Sequence, residues 1–190
     1  MGRWEPNACG RLAQAALELF GERGYEQTTV AEIAQRAGLT ERTYFRHYPD
    51  KGEVMFAKAG ALQERLVAAV EGAPESAAPI DAVAAGLDAL AREFDGRGEH
   101  RERQAVIAAN PELRERELTK FAAMAAALAV ALRGRGVAEL PATLAAEAGI
   151  TVFKVGFGRW LAAPGDRELS VVLRESLAEL KAVTCGAGAS

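Results

Sequence analysis

The sequence predicts an all-α fold, and three observations support this prediction. Alanine, leucine, glutamate and arginine dominate the chain. Alternation of β-branched residues with period two, which is typical of strands, is nearly absent. Glycine, proline and polar breaks separate about nine helical segments. We expect a three-helix domain over residues 1–52 and a six-helix domain over residues 53–190.

Composition and charge exclude several classes of protein. The chain has 190 residues, of which 49% are hydrophobic and 26% charged, a globular rather than a disordered balance. Its formal net charge of −3 gives no overall attraction to nucleic acid, so any basic patch must be local. Two cysteines, Cys9 and Cys185, do not make a disulfide framework. The N-terminus MGRWEPNACGR has no signal-peptide core, and the longest apolar run, at residues 121–132, is too short to span a bilayer. The sequence therefore predicts a soluble cytoplasmic protein with no membrane partner.

The first two helices have clear start and stop signals. An apolar stripe followed by ERGY predicts the first helix over residues 8–24. Thr29 and Glu32 form a Thr-x-x-Glu capping box that opens the second helix. Gly38 suits the left-handed position that ends it.

The third and fourth helices follow at once. Thr40 caps the third helix, which Pro49 ends because the residue before a proline is disfavoured in the α region. Asp50 then caps a fourth helix that we expect to continue to residue 71. Breaks at GAPESAAP, DGRG, NP, RGRG and PGD separate five more helices. We expect these at residues 80–94, 99–110, 111–133, 141–163 and 166–183.

The third helix has two chemically different sides when its residues are placed about 100° apart. One side, expected to face the first two helices, carries Glu41, Tyr44, Phe45 and Tyr48. The other side carries Arg42, Thr43, Arg46 and His47. A short three-helix domain that projects such a face has the layout of a helix-turn-helix, whose second helix enters the major groove of DNA.

These residue types suit contacts with double-stranded DNA. Arginine can donate two hydrogen bonds to guanine, and a threonine methyl can contact the thymine methyl. Thr28 or Thr29 at one helix N-terminus and Lys51 at another could bind phosphates. Arginines on a helix face are nevertheless usually only solvated, and residues 1–52 carry as many acidic as basic side chains. Charge alone therefore leaves both interpretations open.

The segment ALELFGERGYEQTTVAEIAQRAGLTERTYFRHYPDKGEV closely resembles the N-terminal domain of TetR-family transcriptional regulators. The resemblance covers about residues 13–55, and beyond it only the helix layout is similar. It implies an all-α homodimer whose first three helices bind operator DNA and whose larger domain binds a small effector and dimerises through the last two helices. By position, it implies DNA contacts from Thr29, Arg42, Thr43, Arg46, His47 and Lys51.

Two residues depart from the family pattern. Phe45 stands where the family most often has a tyrosine that contacts a phosphate, and its ring could instead pack on a sugar or a thymine methyl. Gly52 replaces a common glutamate, which is expected to loosen the first turn of the fourth helix.

The larger domain offers candidate effector and dimer residues. The candidates for an apolar effector pocket are Phe94, Phe121, Met124, Phe153, Phe157 and Trp160. An alanine-rich domain with few large side chains suits a small lipophilic effector, although plain core packing is the more common role for each residue. The candidates for the dimer interface are Val152, Val155, Arg159, Leu169, Leu173, Leu177 and Leu180.

No motif indicates an enzyme. The sequence has no HExxH, GxSxG or P-loop, and no Cys/His cluster with metal-ligand spacing, so we expect no cofactor and no metal. Alternating charges in PELRERELTK, at residues 111–120, predict an exposed, salt-bridged helix face. The favoured function is a repressor that an effector releases from its operator. Two alternatives remain: the same fold controlled by a protein partner or by no ligand, and an all-α binding module or enzyme with a vestigial DNA-binding domain.

Overall fold

A computed structural model describes residues 7–185. The first six residues of the N-terminal segment, and residues 186–190 at the end of the predicted second domain, lie outside the described range. Nine α-helices and one short 3₁₀ helix, Glu53–Phe56, make up the described chain. The α-helices are α1 (Ala8–Arg23), α2 (Val30–Arg36), α3 (Glu41–His47), α4 (Ala59–Glu71), α5 (Pro79–Ala91), α6 (Arg97–Ala109), α7 (Pro111–Gly134), α8 (Glu139–Ala162) and α9 (Leu169–Thr184). The prediction of an all-α fold is therefore confirmed for these residues.

The caps predicted for the first helices are present. Thr29 accepts a hydrogen bond from the amide of Glu32, and the Glu32 carboxylate accepts one from the amide of Thr29. The hydrogen bonds that the Glu32 carboxylate accepts from the Thr29 amide and, to a smaller extent, from the Thr29 hydroxyl lower the pKa of Glu32. Gly38 has φ +68°, the left-handed conformation that glycine adopts without strain. Thr40 caps α3 by accepting from the amide of Thr43.

The predicted fourth helix is wrong in one respect. Residues 50–71 form the 3₁₀ helix followed by α4, instead of one continuous helix. Asp50 is the cap that the sequence predicted, but its Oδ1 accepts from the amides of both Gly52 and Glu53 and so fixes a tight turn. The other helices begin and end within three residues of their predicted positions.

The described chain forms two compact units, each with its own core. The first contains the described residues up to Ala59 together with Gly98–Leu118, and the second contains Gly60–Arg97 and the residues from Thr119 onward. The sequence-based division at residue 52 places residues 98–118 in the second domain, whereas here they pack with α1–α3. Ile107 and Leu113 are buried in the first core.

Glycines let the helices of the second unit approach closely. A Cβ on Gly149 would lie 2.3 Å from Val83 Cγ1 of α5, and one on Gly156 would lie 2.6 Å from Leu173 Cδ2 of α9. By length and composition alone α8 could cross a membrane. Ten of its 24 residues are buried inside the unit, however.

Candidate nucleic-acid interface

Helix α3 has a buried aromatic side and an exposed basic side. Tyr44 and Tyr48 are buried in the core of the first unit, as the sequence predicted. Phe45 was also predicted to face inward. This prediction is wrong, because Phe45 is 53% exposed. In a helix of two turns Phe45 is displaced by about 100° from Tyr44, which is enough to bring it out of the core. Glu41, placed on the inward side for the same reason, is also exposed.

The two tyrosines fix α3 to the rest of the first unit. The Tyr44 hydroxyl donates to the carbonyls of Asp50 (3.2 Å) and Lys51 (3.0 Å). The Tyr48 hydroxyl donates to the carbonyl of Cys9 in α1, 3.1 Å away. Burial raises the pKa of both phenols, that of Tyr48 to about 12, so both remain protonated donors at neutral pH. The exposed side chains therefore project from a firmly held helix.

Arg42, Phe45, Arg46 and His47 form what we call the reading face. Arg42 and Arg46 are exposed, and neither forms an ion pair with any described residue. The nearby Arg36 is different, because it pairs with Glu22 and Glu18 of α1. The two arginines of α2 and α3 that have no ion pair with a described residue therefore lie on the reading face.

His47 connects the reading face to the start of α1. Its Nδ1 lies 3.3 Å from Sγ of Cys9, and its Nε2 lies 3.5 Å from Nη2 of Arg46. The imidazole is half-buried, whereas the Cys9 side chain is exposed. This contact places Cys9 next to the residues expected to contact DNA, a proximity that no local sequence signal indicated.

The three candidate threonines have different surroundings. The prediction that Thr28 contacts a phosphate is wrong. Thr28 is only 2% exposed, and its hydroxyl donates to the carbonyls of Gly24 and Leu19. Thr29 is exposed, but its hydroxyl takes part in the capping box of α2. Thr43 is half-buried, and its hydroxyl lies 3.1 Å from that of Thr40.

Lys51 has its ammonium group engaged inside the first unit. Nζ donates to the carbonyl of Tyr25 at 2.8 Å and lies 4.1 Å from the centre of the Tyr25 ring. A phosphate contact would require the ammonium to leave both partners. The structure therefore gives Lys51 a role in holding the turn after α3.

The start of α7 contributes residues that the sequence analysis missed. The charged stretch was predicted to be an exposed face, but Leu113 is fully buried in the first core. Arg116 pairs with Asp50 (2.9 Å) and Glu53 (3.1 Å), which are more than sixty residues away along the chain. A single leucine among the charged residues was the signal that this helix buries one side.

The six candidate effector residues lie together in the core of the second unit. Phe94 lies 5.3 Å from Phe157 and 6.0 Å from Phe153, measured between ring centres. Phe121 lies 6.1 Å from Phe153, and Trp160 lies 5.6 Å from Phe157. Met124 is buried in the same core. Most of these side chains pack on one another.

A cavity of about 450 Å³ lies at the edge of this aromatic cluster. Phe94 and Trp160 line it, but its other walls are more polar than the sequence predicted. The Arg97 guanidinium lies 5.2 Å from the Trp160 ring and donates to the carbonyls of Ala163 and Arg167. Further charged residues of the lining are Arg92, Asp95, Asp166 and Glu168. Among the described residues, no group of three or more His, Cys, Asp or Glu could hold a metal ion.

Most of the residues predicted for the dimer interface lie inside the protomer, so their assignment to that interface is wrong. Val152, Leu169, Leu173 and Leu177 are buried in the core of the second unit, and Leu180 packs against it. Arg159 is exposed but donates to Ser176 of α9. Only Val155, 54% exposed, belongs to an outward apolar stripe of α8. The exposed residues of this stripe and of the adjoining face of α9 are Leu144, Thr151, Val155, Gly158, Ala162, Val171, Ala178 and Ala182.

Comparison with known families accounts for both units. The profile of bacterial regulatory proteins of the tetR family matches residues 12–57. The profile of the MftR C-terminal domain matches residues 77–184, which is more than half of the chain.

Individual proteins agree with this assignment. The transcriptional regulator TcmR of Streptomyces glaucescens is 40% identical over 87 residues, covering 45% of this chain and 38% of TcmR. MftR of Mycobacterium tuberculosis is 29% identical over 124 residues, covering 64% of this chain and 62% of MftR. The match thus spans less than two thirds of each curated relative. A transcriptional-regulator crystal structure from Pseudomonas aeruginosa has the same fold, with a TM-score of 0.67, 19% identity and coverage of 97% of this chain and 94% of that one.

Proposed function

We propose, from the premise that this chain belongs to the TetR family of bacterial regulatory proteins, that it represses transcription by binding a pseudo-palindromic operator and is released by a small molecule. One observation carries the DNA-binding part of the proposal. Arg42 and Arg46 project from a helix that two buried tyrosines hold in place, and neither has an ion-pair partner within residues 7–185. Relatives of this family are transcriptional regulators, and we propose that this chain is likewise a regulator and not an enzyme.

The reading face fits the major groove of DNA. Arg42 and Arg46 would donate to guanine O6 and N7, and the exposed Phe45 ring would pack against a thymine methyl or a sugar. Phe45 cannot donate a hydrogen bond to a phosphate, so contacts of the ring with sugars and bases would replace that interaction. Two such helices would lie about 34–36 Å apart, or a multiple of this distance, on the two half-sites.

We propose a homodimer, because a two-fold operator requires two reading faces. The outward stripe of α8 and α9 is the surface that we assign to this contact. It carries small and apolar side chains around Val155, Gly158 and Val171, which would allow two-fold related helices to pack closely. A soluble protein that acts on operators would work in the cytoplasm.

The cavity beside Phe94 and Trp160 is our candidate for the effector site. Its volume of about 450 Å³ lies within the range of small-molecule sites, roughly 300–1,000 Å³. An effector that binds there would favour a conformation of the dimer whose reading faces no longer match the operator. Because the coupling is thermodynamic, operator and effector would weaken each other's binding by the same factor.

Substitution of Arg46 tests the reading face. We expect Arg46→Ala to weaken binding of the operator by about 1–3 kcal/mol and to relax specificity at one base pair, because a bidentate contact with guanine is lost. The assay is fluorescence anisotropy with labelled duplexes that carry each base pair in turn. Arg114→Ala serves as the control, because Arg114 is an exposed arginine of α7 outside the reading face. Equal affinity of Arg46→Ala and the wild type would remove Arg46 from the set of DNA contacts.

The effector is tested separately. A thermal shift screen against a metabolite panel should find compounds that raise the melting temperature and lower operator affinity. Substitution of Arg92 by Gln, in the cavity wall, should change which compounds bind. If every stabilising compound leaves operator affinity unchanged, release by a small molecule is refuted while DNA binding stands.

A further inference from the structure

The turn that follows α3 is attached to the centre of that helix. Tyr44, which is fully buried, donates through its hydroxyl to the carbonyls of both Asp50 and Lys51. Its ring also makes an edge contact with Phe45 of the reading face, 5.6 Å between ring centres. A displacement of the turn would therefore move Tyr44 or break its two hydrogen bonds.

Arg116 of α7 is bound to this same turn by ion pairs with the side chains of Asp50 and Glu53. Its Nη1 lies 2.9 Å from Oδ2 of Asp50 and 3.1 Å from Oε2 of Glu53. The second oxygen of Asp50, Oδ1, accepts from the amides of Gly52 and Glu53. Burial by itself would raise the pKa of Asp50, but Arg116 and these amides outweigh it and lower the pKa. Asp50 is thus ionised at neutral pH and connects α7 to the turn.

Gly52 makes room for α7 at this point. A Cβ on Gly52 would lie 3.0 Å from the Tyr25 hydroxyl, 3.2 Å from Leu113 Cδ2 and 3.3 Å from Arg116 Nε. A side chain at this position would require the side chains of Tyr25, Leu113 and Arg116 to shift by a few tenths of an ångström. The absence of a side chain at Gly52 therefore permits the close approach of Leu113 and Arg116.

We propose that Arg116 is a positioning residue for DNA recognition, which acts through the Asp50–Lys51 turn and Tyr44 to set the orientation of the reading face. Arg116 itself does not touch DNA. The inference rests on the proposed function, because it assumes that α3 reads the operator. An ion pair of partly exposed groups contributes little to overall stability, so the main effect of Arg116 is expected on DNA affinity.

The test uses three single variants of the full-length protein and the double variant Arg116→Gln/Tyr44→Phe. Arg116→Gln removes the ion pairs, and Arg114→Gln makes the same change of charge at an exposed position two residues away. Tyr44→Phe removes the hydrogen bonds to the turn and keeps the buried ring. Arg116→Lys is a milder variant, because a single nitrogen of Arg116 contacts both carboxylates. It is used in place of Arg116→Gln if circular dichroism shows that the Arg116→Gln protein is not folded.

The probe is the duplex that the wild-type protein selects from a randomised library. We expect Arg116→Gln to bind it about tenfold more weakly, and Arg114→Gln to bind like the wild type. Two readouts separate positioning from other roles. The slope of log affinity against log salt should stay unchanged, whereas loss of a phosphate contact would reduce it by about 1. The effects of Arg116→Gln and Tyr44→Phe should be non-additive, because both act through the same turn.

The possible failures can be told apart. If the wild type selects no duplex, the proposed function itself fails. If the wild type selects one and Arg116→Gln binds it equally well, or the Arg116 and Tyr44 effects simply add, the positioning role is overturned. A reduced salt slope also overturns it, since Arg116 would then contact a phosphate directly.

Discussion

Helix α8 crosses α5 at Gly149, and one added methyl group there tests the packing of the second unit. A Cβ on Gly149 would lie 2.3 Å from Cγ1 of Val83, far inside the optimal carbon–carbon distance of about 3.5–4.0 Å. Val83 is fully buried. As a β-branched residue in a helix it also has one strongly preferred rotamer, so it cannot turn away cheaply.

Gly149→Ala should therefore destabilise the protein. Overpacking costs about 1–3 kcal/mol, and the better helix propensity of alanine offsets about 0.5–1 kcal/mol of this. We expect the free energy of unfolding, measured by urea titration and circular dichroism, to fall by about 1 kcal/mol, which is close to the difference between the middle values of these two ranges. Gly60→Ala in α4 is the control and should not destabilise, because apart from its chain neighbours and the adjacent backbone of its own helix no atom lies within 4 Å of the added Cβ.

A second substitution makes the test sharper. Val83→Ala removes the atom that the new methyl group would meet, so the double variant should be more stable than the sum of the two single effects. Close packing of Gly149 on Val83 is refuted if Gly149→Ala is as stable as the wild type, or if the effects of Gly149→Ala and Val83→Ala simply add.

Three other changes test the remaining assignments. Val155→Glu should shift the dimer towards monomer in sedimentation velocity, because it buries a carboxylate in the α8 and α9 contact. Leu118→Glu should not, although Leu118 on α7 is about as exposed as Val155. A monomeric wild type would contradict the dimer. Thr28→Val should lower the free energy of unfolding by about 1 kcal/mol through loss of a buried hydroxyl donor while operator affinity of the folded protein stays unchanged, and a selective loss of affinity would restore Thr28 as a contact. The pKa of Asp50 is lowered from its ordinary value of 3.8 in the folded protein. The ionised Asp50 carboxylate therefore stabilises the protein above that pH, and this stabilisation is lost as pH falls through the folded-state pKa. Asp50→Asn should flatten this part of the curve of unfolding free energy against pH, and an unchanged curve would count against the ion pair with Arg116.

Local chemistry made the helices and their caps predictable. The capping box of Thr29 and Glu32, the left-handed Gly38 and the cap at Thr40 each depend on residues within four positions of one another. The same holds for the buried side of α3 at Tyr44 and Tyr48. Phe45 was wrongly predicted to face inward because a two-turn helix has room for few inward residues. The angular spacing of residues around a helix does not show where the core ends.

Contacts between distant residues were not predictable in the same way. The leucine stripe of α9 indicates an apolar face, but periodicity does not tell whether that face meets its own protomer or a second copy. Leu173 illustrates this, because it is 1% exposed within one chain. Likewise, the charge pattern around Arg116 suggested neighbours on its own helix, whereas its short contacts are with Asp50 and Glu53.

The most direct test of DNA recognition by the reading face is binding of the purified protein to the DNA upstream of its own gene and to a scrambled duplex of the same composition, across a salt series. We expect the protein to prefer the upstream DNA by about 10³-fold or more at physiological salt. Equal, weak and steeply salt-dependent binding to both duplexes would show only charge attraction to the phosphates and would contradict specific recognition.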